Sequence, residues 1–202
     1  MALKRFPLEQ YATLELNQVA FPKTGMVVSQ TPLGEKFTTD ASVTGAYGVC
    51  ENGMWVVADK SKGYLDAPAA ATDKPMGIVY TAEKEYDNMH YGLKTFGRKI
   101  AGDYPRVGIL GLGDTVTTNC LQYDDTEFKA VTTTGSEKTS DEALFEALEA
   151  WETDPVYVVA VAGSPIPKLT ATKPNSGIYG KVTKFYTVPN GERGVKYEIV
   201  NL

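Results

Sequence analysis

The sequence predicts a mainly β protein: a small β-barrel or sandwich with an extended N-terminal arm, one short helix and a C-terminal β-hairpin. Three observations predict it. Short apolar runs are punctuated by glycine, most clearly in DYPRVGILGLGDTVTTN at residues 103–119. There Gly108, Gly111 and Gly113 would each cost a helix interior about 1 kcal/mol relative to alanine. Nineteen glycines and eleven prolines in 202 residues supply many turns, which favours short strands. Asn-Gly pairs at 52–53 and 190–191 stand beside strand-like runs, where the left-handed backbone of a tight turn is needed.

Taken in order, residues 1–24 read as an extended arm, because Pro7 and Pro22 interrupt regular structure and the alternation through Leu14 and Leu16 is only rough. Two roles are open to it. It is either the first strand of the domain or a strand added to a partner's sheet edge, with Leu14, Leu16, Val19 and Phe21 filling pockets. A β-barrel body is expected over residues 25–123. Its strands are 26–29 (MVVS), 54–58 (MWVVA) after the turn Glu51-Asn52-Gly53, and 76–81 (MGIVYT) led in by Pro75. Residues 37–49 read as a loop or ragged hairpin, and 63–71 as an Ala/Pro linker. The 103–119 stretch then gives an apolar strand, a glycine-hinged bend and a β-branched strand at 115–118. Residues 82–102 carry Tyr86, His90, Tyr91 and Phe96 among charges with no helical or strand period. So long an excursion in a compact domain is expected to be functional surface, here an interface loop.

Residues 124–202 are expected to form a helix-plus-hairpin lobe, either separate or completing the same barrel. The stretch 121–139 reads as a loop or short hairpin. A helix follows from about Ser140 to Trp151, since Leu144, Leu148 and Trp151 fall on one face. Asp141 and Glu142 suit its positive N-terminal end, and Asp154-Pro155 stops it. VYVVAVA at 156–162 reads as a buried strand. Residues 178–188 and 195–200 pair as a hairpin, with Val182, Tyr186 and Val188 opposite Val195, Tyr197 and Ile199.

Composition narrows the function. A net charge of −5 argues against nucleic-acid binding, which needs a basic footprint, and the aromatics at Tyr80 and Tyr104 have no basic stripe with which to stack bases. No apolar run approaches a membrane span, and residues 1–24 lack the pattern of a signal peptide, so synthesis in the cytosol without an export address is expected. Cys50 and Cys120 are too few for a disulfide framework; they form either one bridge or two buried thiols. The single histidine, His90, rules out two-histidine zinc sites and makes any Ser–His–Asp arrangement depend on the Tyr-rich loop. Gly108, Gly111 and Gly113 match neither nucleotide-binding glycine pattern and lead into a strand rather than a helix. The pairs Glu83/Glu85 and Asp124/Asp125 lie in no calcium-loop pattern. No catalytic residue, metal or cofactor is therefore expected. Charge is also uneven: residues 124–154 hold ten acids and two lysines, residues 163–202 six basic residues and two acids. These are either mutually attracting subunit faces or two solvated surfaces.

The succession GMVVSQT (25–31), ENGMWVVAD (51–59), DKPMGIVYTAE (73–83) and YPRVGILGLGDTVTTN (104–119) resembles tailed-phage capsid decoration proteins. These are small β-barrel proteins that cement the outside of an icosahedral head, often as trimers. The matching positions are 25–28, 75–79 and 107–111, and the resemblance covers residues 20–120. It implies a non-enzymatic virion structural protein on the capsid exterior, assembled in the host cytoplasm. Its implied partners are the major capsid protein and itself, as a homotrimer, with the N-terminal arm inserted among capsid-protein strands. The helix and terminal hairpin lie outside the resemblance and leave open another virion role, as head-fibre base, tail tube or tail-completion protein. A β-sandwich hydrolase or carbohydrate-binding module is the remaining reading, against which the lone histidine counts.

Overall fold

The computed structural model describes residues 3–8, 12–15, 19, 27–58, 61–81, 99–128, 139–187 and 191–202. Within them the chain is mainly β. Its strands are β1 (Leu3–Arg5), β2 (Val27–Val28), β3 (Trp55–Val57), β4 (Met76–Val79), β5 (Val107–Ile109), β6 (Thr115–Thr118), β7 (Gln122–Asp124), β8 (Tyr157–Val161), β9 (Ser164–Thr170), β10 (Tyr179–Thr187) and β11 (Arg193–Asn201). One helix, α1 (Ser140–Glu149), separates β7 from β8.

Two sheets result. The smaller has the order β2-β5-β4-β3 and is antiparallel throughout. The larger has the order β1-β7-β9-β8-β10-β11-β6, with only β7 and β9 parallel. Strands from both sides of residue 124 share this larger sheet, so the C-terminal segment completes the sheet that the preceding strands begin. Only residues 119–121 separate β6, at one end of the sheet, from β7, next to the other end. The sheet therefore curls until its ends approach. Its ladders do not close into a barrel among the described residues.

The stretch 103–119 joins the sheets. Its first half is β5 in the small sheet and its second half β6 in the large one. The bend between them is set by the buried Asp114 carboxylate, which accepts from the Gly111 N–H at 2.6 Å, and by Gly113 at φ 85°. That backbone conformation strains any residue with a Cβ.

Strand periodicity sorts the side chains of the small sheet onto two buried faces. Trp55, Val57, Met76 and Ile78 join the core shared with Val158, Val182, Tyr197 and Ile199 of the large sheet. Val56, Val79 and Val107 face a second core closed by Leu33 and Phe37 from the long loop after β2 and Leu65 from the loop after β3. The Trp55 indole donates to the Tyr197 hydroxyl at 3.0 Å, so the largest buried side chain is satisfied across the inter-sheet space. Burying each such side chain contributes about 1.5–3 kcal/mol.

Helix α1 begins on a reciprocal cap: the Thr139 hydroxyl accepts from Glu142 N, and the Glu142 carboxylate accepts from Thr139 N at 2.6 Å. Leu144 and Leu148 are buried as predicted, and Trp151 packs against the core just past the helix end.

Two elements depart from the sequence reading. Residues 122–124 and 164–170, polar and proline-bearing, are strands. Pro165 and Pro167 cannot donate to a ladder, and β7 pairs with β9 only at Lys168 and Leu169. Beside the prolines the Gln122 side chain stands in for a strand, donating to Ile166 O at 2.5 Å and Ser164 Oγ at 3.1 Å. In the hairpin, a register shift between Val182 and Lys184 turns Phe185, not Tyr186, to the side of Val195. Val188 lies outside the described residues.

Candidate functional site

The arm does not stand apart from the body. β1 pairs with β7 through three residues, continued by Phe6 N donating to Leu121 O at 2.9 Å. A few residues on, Leu14 bridges Thr118 of β6, flanked by Glu15 N to Thr117 O and Asn119 N to Thr13 O. The one arm thus lines both ends of the curled sheet. Phe6, Ala12 and Leu14 are buried, Phe6 meeting the Phe145 ring edge to face at 5.8 Å.

Polar contacts fasten it. Glu51, in the turn before β3, accepts from Arg5 Nη2 at 2.7 Å and from Ala12 N at 3.1 Å. Asn119 accepts from Thr13 N at 2.6 Å and donates to Glu192 Oε2, in the turn before β11, at 3.1 Å. At the far end Lys4 pairs with Asp141 at 2.9 Å, and Tyr123 donates to the same carboxylate at the start of α1. The Asp141 hydrogen bond raises the Lys4 ammonium above its ordinary value. Burial pushes the Asp141 carboxyl up, but the Tyr123 hydroxyl and Lys4 together outweigh it and hold it below the usual range.

Of the two roles open to the arm, this seating is that of a strand of its own domain. Leu14, taken as a capsid-contact residue, is 6% exposed and part of the core; Val19 is half-buried and packs against it. Neither is free to fill a partner's pocket while the arm is seated. Leu16 and Phe21 lie outside the described residues, as do all four expected interface-loop residues, Tyr86, His90, Tyr91 and Phe96.

Apolar side chains are exposed at several other places, Leu112, Val200 and Leu202 among them, and four lie on segments near the small sheet. Val27, Tyr64, Ile100 and Tyr104 are 46%, 40%, 52% and 57% exposed. The segments bearing them are tied together. Leu33 N donates to Asp103 O and Gly102 N to Leu33 O, Gly34 N donates to Leu65 O, and β2 pairs with β5. Gly34 leaves room for the Tyr64 ring, since a Cβ there would lie 2.8 Å from Tyr64 Cδ2. A cleft of about 340 Å³ beside this ring is lined by Leu33, Gly34, Glu35, Lys36, Tyr64 and Asp66. Little in the sequence marks this flank. Val27 reads as one more strand residue and Ile100 as one more apolar position, and no pattern marks which apolar residues a fold leaves outside.

The remaining titratable groups are structural in their contacts. The Thr126 hydroxyl and N–H hold the Asp124 carboxyl below its usual range. Burial raises Glu127, but hydrogen bonds from Thr170, Lys168 and Ala171 N outweigh it and bring it below its usual range. Lys168 lies 3.0 Å from Glu127, tying β9 to the turn after β7. Both cysteines are free and buried. Burial pushes the Cys120 thiol up to about 12 and the Cys50 thiol well above its ordinary value. A thiol that keeps its proton is a poor nucleophile and metal ligand. Among the described residues, no group of three His, Cys, Asp or Glu side chains converges to hold a metal ion, and no helix is long and apolar enough to cross a membrane. Compared with protein-family models, curated proteins and solved structures, the chain matches none.

Proposed function

We propose that this chain is a non-enzymatic virion structural protein that binds the outside of a phage capsid and stabilises the lattice, working as a homotrimer on the major capsid protein. The reading originates in the strand motifs of residues 25–28, 75–79 and 107–111, each of which overlaps a strand of the small sheet. The observation that carries it further is the exposed flank of Val27, Tyr64, Ile100 and Tyr104 at that same sheet. Tyrosine-rich apolar surface is what protein–protein interfaces bury at their centre. With the arm seated in its own body, this flank is the surface offered to the capsid.

Co-sedimentation with expanded, empty phage heads tests the reading. The wild-type chain is expected to pellet with heads. The pair Ile100→Asp/Tyr104→Asp should abolish that binding while leaving the melting temperature within a few degrees, because both side chains are solvent-facing. Absence of wild-type binding to any expanded head would remove the capsid reading. Full binding by the double variant would move the contact away from this flank.

A further inference from the structure

The large sheet has two ends, and one short segment of chain occupies both. β1 covers the outer edge of β7, and residues 13–15 cover the outer edge of β6. Were residues 3–15 to leave, both edges would present unpaired backbone groups, a template for strand addition.

The described contacts of the arm reach residues distant in sequence. They go to Glu51, to the 117–124 stretch and to Ser140 and Asp141. An arm from another copy would therefore make the same contacts, the condition under which identical elements exchange between subunits. Glu15 is joined to β2 by residues 16–26, a connection that reaches about 40 Å when extended, comparable with the width of a small domain.

The seat is also lightly paired. Three residue pairs hold β1 and a single bridge holds Leu14, against eight pairs between β10 and β11. Two buried polar atoms on the arm, Arg5 Nε and Thr13 Oγ1, have no protein partner among the described residues. Elements with few pairs and imperfect polar satisfaction open before the rest of a fold does.

We propose that copies of this chain exchange N-terminal arms, residues 3–15 of one copy occupying the β6 and β7 edges of another. The partner is a second copy of this chain, and the interaction surface is the two-edged seat. This does not depend on the capsid reading, because it concerns only what copies do to one another. Held together in an assembly, the copies present their arms to neighbouring seats at high effective concentration, and exchange then links them without any contact beyond those of the single chain.

A cross-linking experiment decides between exchange and self-seating. Leu3 and Asp124 face each other across the β1–β7 ladder. Cross-strand Cα atoms lie about 4.5–5.5 Å apart, within reach of a disulfide. The double variant Leu3→Cys/Asp124→Cys serves as the control that the ladder forms and oxidises. The test is co-expression of full-length Leu3→Cys and Asp124→Cys chains carrying tags of different size, with each single variant alone setting the background. Exchange predicts a mixed, disulfide-linked dimer on non-reducing gels, well above either single-variant background. If the double variant closes its disulfide entirely within one chain while the co-expressed pair gives no mixed dimer, arms stay in their own bodies and the proposal is overturned.

Discussion

The inner strands of the small sheet and the N-terminal arm are both β structure, and they are held by different means. Trp55–Val57 and Met76–Val79 carry apolar side chains on both faces, and every residue of both strands is buried. Hydrophobic burial alone fixes their register, because a slip of one residue would exchange the side chains of the two cores. Among its described residues the arm fully buries only Phe6, Ala12 and Leu14, and its register is set by single polar contacts to Glu51, Asn119 and Asp141. The difference teaches that a strand can be indispensable to a sheet without showing the periodicity of one.

The comparison can be broken at its strong end first. Ile78, fully buried between the sheets, should tolerate no charge: Ile78→Asp is expected to cost at least about 4 kcal/mol and to abolish soluble expression. A soluble variant with native circular dichroism would mean that the small sheet is not the centre of the core.

Phe6→Ala asks whether the arm's apolar anchor behaves as core. Truncating a buried phenylalanine costs about 3–5 kcal/mol, and the lower figure is expected at a sheet end. In a chain of this size that lowers the melting temperature by roughly 6–12 °C. A change under 2 °C would make the arm an appendage.

The polar fastenings should matter least and be visible mainly in acid. Asp124, Glu127 and Asp141 are all held below their ordinary values in the fold. Their contribution is therefore fully present above the unfolded carboxyl values of about 3.9–4.3, and is lost as pH falls through the lower folded values. Urea midpoints should show these groups' effect fading only below about pH 4. Lys4→Met should flatten Asp141's part of that decline and cost about 1 kcal/mol or less at neutral pH, since both side chains keep over a third of their surface in water. A decline already complete at pH 5, or one unaltered in Lys4→Met, would show that these carboxylates are not what the acid limb reports.

The same contrast explains what could be read in advance. Apolar strands with glycine in or beside them, at 55–57, 76–79 and 107–109, were legible, as were the bend at Gly113 and the helix carrying Leu144 and Leu148. β7 was not, because Gln122 and Asp124 are polar, and their burial follows from bonds to Ile166 O and to Thr126 that only the fold brings close. β9 was hidden by Pro165 and Pro167, tolerated because Gln122 supplies the hydrogen bond beside them. The hairpin facing was misread because a bulge after Val182 changes the parity of the strand, and nothing local in Thr183-Lys184 announces it. For the candidate site, sequence picked out the arm but could not say whose sheet it would join. The exposed flank of Val27, Tyr64, Ile100 and Tyr104 depends on which apolar side chains the two cores leave uncovered.

That the arm is structurally part of the sheet is most directly tested by the melting temperature of the chain lacking residues 1–15, set beside the full-length protein. Its removal takes away Phe6, Ala12, Leu14 and the Arg5–Glu51 pair, and opens both ends of the large sheet. The expected result is a fall of more than about 10 °C, or no folded protein, following from several kcal/mol of lost burial. A truncated chain that melts within about 2 °C of the full-length protein, less than 1 kcal/mol in a chain of this size, would contradict the account.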